Sequence, residues 1–153
     1  MTLLYVLLFL AQSGSAPDSL LTRLHGRWQG SGTVLEMPAA VDLAWEWTLD
    51  RQFLRLTFTN QMGSRRFEGH AYYRPLGSGR YRGTWFDNSG MIRPIEAHQD
   101  GDALVAAWGT AETERGETTY RLSSTGEMEI VDRVLSRDGQ WRQFGRVTVK
   151  RLP

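Results

Sequence analysis

In the run Arg66-Phe67-Glu68-Gly69-His70-Ala71-Tyr72-Tyr73, an extended chain puts His70 on one face with Arg66, Glu68 and Tyr72, because strand side chains alternate. An imidazole so placed is either a general base in a cavity or an exposed histidine among polar neighbours. Phe67, Ala71 and Tyr73 take the opposite face, so exposure is the simpler reading. Glu96 and His98, two apart, could let a carboxylate orient an imidazole. Ile92 and Pro94 share their face, which leaves its direction open, and a surface pair is the plainer reading. Asp132 is in phase with Met128, Ile130 and Val134. If that face is internal, it is a buried carboxylate needing a partner, expected to be an arginine; a structural ion pair or a place near the barrel mouth is the plainer reading. His25 precedes the first strand and is expected to belong to the plug that closes the fold.

No nucleophile elbow, phosphate-cradling glycine loop or metal-ligand spacing accompanies these residues. Cysteine is absent and the three histidines are far apart in sequence, so no catalytic set, metal site or cofactor is assigned. The larger signal is aromatic. Trp45, Trp47, Phe58, Tyr73, Trp85 and Trp108 are expected to line a pocket for an apolar ligand, against the alternative that the rings only fill a core.

The elements that would hold these rings read as strands throughout. The organising stretch is Leu24-His25-Gly26-Arg27-Trp28-Gln29-Gly30-Ser31-Gly32-Thr33. Extended, it puts Trp28, Gly30, Gly32 and Val34 on one face, an indole to plug a barrel end and glycines to bend the strand or leave space. Pro17-Asp18-Ser19 before Leu20, Leu21 and Leu24 reads as a short capped helix. After an expected turn at Met37-Pro38-Ala39-Ala40, Val41, Leu43, Trp45, Trp47 and Leu49 alternate with polar residues. Leu54, Leu56 and Phe58 repeat the pattern up to Thr59, as do Phe67, Gly69, Ala71 and Tyr73, and then Tyr81, Gly83 and Trp85. Strands are expected over 91–99, 103–108, 117–123, 128–135 and 140–150. Asp100-Gly101-Asp102 and Arg137-Asp138-Gly139 are hairpin signals. About ten strands result: an all-β, antiparallel up-and-down barrel with a short N-terminal helix. Closure of first strand on last removes the exposed edges. Such an interior exceeds what side chains usually fill, and Gly30, Gly32 and Gly83 are expected to supply room.

Residues 1–16 carry no charge, and Leu3 to Ala11 is continuously apolar before Ser13-Gly14-Ser15-Ala16. They are expected to be a cleaved signal peptide, too short to span a bilayer, with 17–153 as the exported domain. No lysine or arginine precedes the run. Without cysteine no lipoprotein anchor is expected and no disulfide can form, so stability is expected to rest on the core. Arginine plus lysine, 18, nearly balance aspartate plus glutamate, 17, and no basic block stands out, which argues against nucleic acid or an anionic membrane as partner.

A short helix, then Gly26-x-Trp28 on the first strand and an up-and-down meander, resembles the calycin group of lipocalins and fatty-acid-binding proteins. The resemblance implies a basic residue of the last strand over the tryptophan, and Arg146 is the expected one, with Arg151 the alternative. The string Leu24-x-Gly26-x-Trp28-x-Gly30-x-Gly32 resembles the opening of nitrobindin-like haem-binding barrels, and Tyr81-Arg82-Gly83-Thr84-Trp85-Phe86-Asp87 resembles a family of short bacterial lipocalin-like proteins. Nitrobindin-like barrels hold haem iron through a histidine near the C-terminal end of the domain. The last strand here has none, which argues against haem.

The expectation is therefore an exported barrel that binds a small apolar or amphipathic molecule. A barrel enzyme of isomerase, cyclase or lyase type is the rival. A barrel serving partners through its outer face is the third reading.

Overall fold

The computed structural model describes residues 19–153. The expected export segment, and Pro17 and Asp18, expected to lead the helix, lie outside the described residues. Within them, helix α1 (Ser19–Leu24) precedes β1 (Gly26–Val34), β2 (Met37–Thr48), β3 (Phe53–Met62), β4 (Arg65–Gly77), β5 (Arg80–Asp87), β6 (Ile92–Asp100), β7 (Ala103–Trp108), β8 (Gly116–Leu122), β9 (Glu127–Leu135) and β10 (Trp141–Arg151). Each strand pairs antiparallel with the next. β1 pairs with β10, from Trp28 opposite Arg151 to Val34 opposite Gly145, and the sheet closes into a ten-stranded barrel. The all-β meander read from the alternation is the fold.

One end of the barrel is plugged. Leu20, Leu21 and Leu24 of α1 are fully buried, and Trp28 is 1% exposed. The Trp28 indole donates from Nε1 to the Leu24 carbonyl at 2.9 Å. The guanidinium over its ring is that of Arg151, 4.3 Å from the ring centroid, not that of Arg146. Strand parity is the reason: Val147 and Val149 are buried, so Arg151 continues the inward row, while Arg146 falls with Thr148 and Lys150 on the outer face. There Arg146 pairs with Glu129 at 3.7 Å. Arg151 also donates to the carbonyl oxygens of Arg23 and His25, tying the end of α1 to the last strand. Arg23 meets Asp102, in the β6–β7 turn, at 2.8 Å.

Two turns differ from expectation. The β1–β2 hairpin turns at Leu35-Glu36, both with left-handed backbone (φ 49° and 63°), and Met37–Ala40 already belong to β2. Pro38 is tolerated because β3 pairs with β2 only from Ala40 onward. Leu49, expected to face inward, is instead 63% exposed in a turn where Leu49, Asp50 and Arg51 all have positive φ.

The glycines of β1 leave no space for a ligand. A Cβ on Gly30 would stand 2.0 Å from the Thr148 carbonyl oxygen, and one on Gly32 2.1 Å from that of Arg146. Gly83 similarly abuts the Tyr72 carbonyl at 2.5 Å. These positions are bare because a neighbouring backbone crosses them closely, which is how a strongly coiled sheet turns a corner.

Candidate functional site

At the end opposite Trp28 a cavity of about 560 Å³ runs into the barrel, within the size range of small-molecule sites. Of the six aromatic residues expected to line it, Phe58, Tyr73, Trp85 and Trp108 do so. Trp45 and Trp47 do not. Trp45 is fully buried beneath the floor, its ring 5.4 Å from that of Tyr73 and edge-on to Tyr120 at 5.1 Å. Trp47 lies further along β2 toward the plugged end, with the Arg51 guanidinium 5.1 Å from its ring.

Two glycines make room for the rings that do line the cavity. The Trp85 ring lies across Gly69, where a Cβ would come within 2.0 Å of Cζ2, and the Trp108 ring lies across Gly116 at the same distance. Trp85 is stacked on Phe67 (6.1 Å between centroids, 13° between planes) and tilted against Phe58 at 6.4 Å. Its Nε1 donates to Asp87 Oδ2 at 3.0 Å. Arg93 stands between the two indoles: its guanidinium is 3.4 Å from Asp87 and 3.6 Å from Glu114, and 5.4 Å from the Trp108 ring centroid. The accepted hydrogen bonds, from Ser89 and Trp85 above all, outweigh burial and hold the Asp87 carboxyl below its ordinary range.

Deeper in the barrel the lining turns polar. Trp108 Nε1 donates to Thr118 Oγ1 at 3.2 Å, and Thr118 donates to Asp132 Oδ1 at 2.6 Å. Thr118 and Asp132 are cross-strand partners on β8 and β9. The partner found for Asp132 is thus a hydroxyl and not the expected arginine. Removal from water pushes its carboxyl above the ordinary range, with the Thr118 bond acting in the opposite direction. Gly145, opposite Asp132 on β10, leaves space at Oδ2, where a Cβ would stand 2.8 Å away. Tyr73 and Tyr120 hydrogen-bond to each other, and burial drives both hydroxyls above their ordinary pKa. Asn60, 4% exposed, lines the same cavity with its Oδ1 lacking a hydrogen-bond donor.

The histidines lie elsewhere. His70 is on the outer face of β4, 3.4 Å from Glu68. Glu96 and His98 also face outward, but Glu96 pairs with Arg82 at 2.9 Å and not with His98. His25 is exposed between α1 and β1. None of the three lines the cavity, so a haem placed there would meet no imidazole. Among the described residues no group of three or more His, Cys, Asp or Glu is placed to hold a metal ion.

Asn60, Phe67, Arg93, Thr118 and Tyr120 also line the cavity and are not marked as site residues by the sequence pattern. Asn60 continues the phase of Leu54, Leu56 and Phe58, but its strand was expected to stop at Thr59; β3 runs to Met62. Thr118 and Tyr120 alternate with outward Glu117 and Thr119, a pattern present in the sequence and not assigned a face.

In sequence, no protein-family description and no curated protein matches the chain. In structure, the barrel is similar to the crystal structure of Rv2717c from M. tuberculosis, with a TM-score of 0.67 and 13% identity over 89% of this chain and 99% of that one. At that identity the likeness is one of fold: a ten-stranded closed barrel.

Proposed function

We propose that the chain binds one small, apolar or amphipathic molecule inside the barrel. The observation that carries this is the open cavity itself. A domain with this many aromatic residues could fill its interior, yet about 560 Å³ is left at one end. Two glycines admit indole rings to its wall, and the buried Asn60 Oδ1 in its lining has no partner. Native proteins rarely leave such atoms unmet unless something else satisfies them. The resemblance to calycin barrels, whose interiors hold small ligands, agrees with this reading.

The test is a titration with Nile red, a neutral apolar dye, and with fatty acids and haem, followed through tryptophan fluorescence. Trp85→Leu is expected to weaken dye binding about tenfold by removing aromatic contact. Trp47→Leu should leave binding unchanged, since that ring is remote from the cavity. No saturable binding by any of these ligands, or equal loss in both variants, contradicts the proposal.

A second reading draws on Asp132. A carboxyl with an upward-shifted pKa beside a hydroxyl, in a largely apolar cavity, is what acid–base chemistry of the isomerase, cyclase or lyase type requires. It is separated from pure binding by turnover that Asp132→Asn abolishes with binding intact. Export through cleavage after Ala16 is also proposed; N-terminal sequencing of protein from its native host should return Pro17 first.

A further inference from the structure

Two acceptor oxygens, Asp132 Oδ2 and Asn60 Oδ1, belong to residues that line the cavity. Thr118 is fully engaged: it accepts from Trp108 and donates to Asp132 Oδ1. Asp132 Oδ2 lies beside the bare Gly145 position, and Asn60 Oδ1 is buried with no donor. The tyrosine pair spends one hydroxyl proton on itself and keeps one. Of the unmet donors nearby, Trp45 Nε1 lies beneath the floor and outside the cavity lining, and Arg93 Nε belongs to a guanidinium set between Asp87 and Glu114.

The lining holds three carboxylates, Asp87, Glu114 and Asp132, and three guanidiniums, Arg65, Arg66 and Arg93, so the question is which carboxylate is left without a cation. Arg93 is engaged by the first two, and among the described residues no arginine or lysine forms an ion pair with Asp132. Arg65 and Arg66 stand at the mouth, both exposed. A carboxylate partly withdrawn from water without a cation is costly, and a ligand cation relieves that cost. Aromatic faces around the cavity add attraction for a positive charge.

We propose that this cavity is a site for a protonated amine carried on an apolar body, with Asp132 as its counter-charge and Asn60 Oδ1 as a further acceptor in the same lining. The proposal rests on the ligand-binding reading above and specifies the chemistry of the ligand. A carboxylate head would instead face Asp132 as a like charge.

The experiment uses decylamine, decanol and decanoate, three molecules of one chain length and different heads, titrated below their micelle concentrations near neutral pH by calorimetry and tryptophan fluorescence. Decylamine should bind at least tenfold more tightly than the other two, the scale of a charge-assisted hydrogen bond. Asp132→Asn should remove that preference while decanol binding persists. Asn60→Leu, which keeps the carboxylate, should weaken decylamine more than decanol, and it serves independently if the first variant does not fold. Equal affinity for amine and alcohol, or a preference for decanoate, overturns the amine site and leaves cavity binding standing. Failure of all three to bind, with Nile red also excluded, removes the binding reading and the amine site together.

Discussion

Trp28 makes three kinds of contact at once: its ring fills the plugged end, its N–H reaches the last turn of α1, and its face supports Arg151. Truncation to alanine opens a large cavity where the surrounding strands are held by the closed sheet, so a loss of roughly 3–5 kcal/mol in denaturant-measured stability is expected. Arg151→Met should lower the denaturation midpoint, because the carbonyls of Arg23 and His25 lose their donor. Arg146→Met should change the unfolding free energy by no more than about 0.5 kcal/mol, as surface substitutions generally do. Asp132 behaves in the opposite sense. Burial raises its folded-state pKa above the unfolded value, so the folded state favours the protonated form. That contribution is complete below the unfolded pKa, about 3.9, and is lost as pH rises through the folded value. Asp132→Asn should therefore raise the melting temperature at pH 7 by more than at pH 3.5. A difference that stays constant across that interval would falsify the placement of a desolvated carboxyl at this position. At this scale the sequence shows which face a side chain takes, because period two is enough for that. It does not show depth: Trp45 and Trp85 both point inward, and only the position of each along the barrel axis puts one under the floor and the other on the wall.

Strands and turns carry the next level of information. Ten strands are readable because most turns carry a recognisable residue, such as Gly101 or Gly139 with positive φ. Leu35-Glu36 escapes that reading, since it adopts the left-handed conformation without glycine or asparagine. Glycines inside strands carry two meanings that composition cannot separate. Gly30, Gly32 and Gly83 mark backbone approaching backbone, while Gly69 and Gly116 mark an indole lying flat across the sheet. The second kind can be tested directly. Gly116→Ala sets a methyl group against Trp108 Cζ2, so the ring must leave its position and its bond to Thr118 must break. A destabilisation of about 1–3 kcal/mol is expected, together with a fall in Nile red affinity, read from a thermal melt and a titration on the same sample. An unchanged affinity would mean that the Trp108 ring is not part of the wall that holds the dye.

For the whole molecule, closure joins the first strand of the described residues to the last. β1 and β10 are farthest apart along the chain and adjacent in space, and Leu152 N donates to the Arg27 carbonyl at 2.8 Å just beyond the paired residues. The ladder is in this sense a ring, and the place where the polypeptide begins is one cut among several. A circular permutant with Pro153 joined to Ser19 through a flexible Gly/Ser linker, opened between Asp138 and Gly139, keeps every strand neighbour and moves the free ends to the rim of the cavity. Its pairing of β1 with β10 becomes short-range in sequence and that of β9 with β10 becomes the distant one. The two chains should thus share one native structure while assembling their sheets from different starting points.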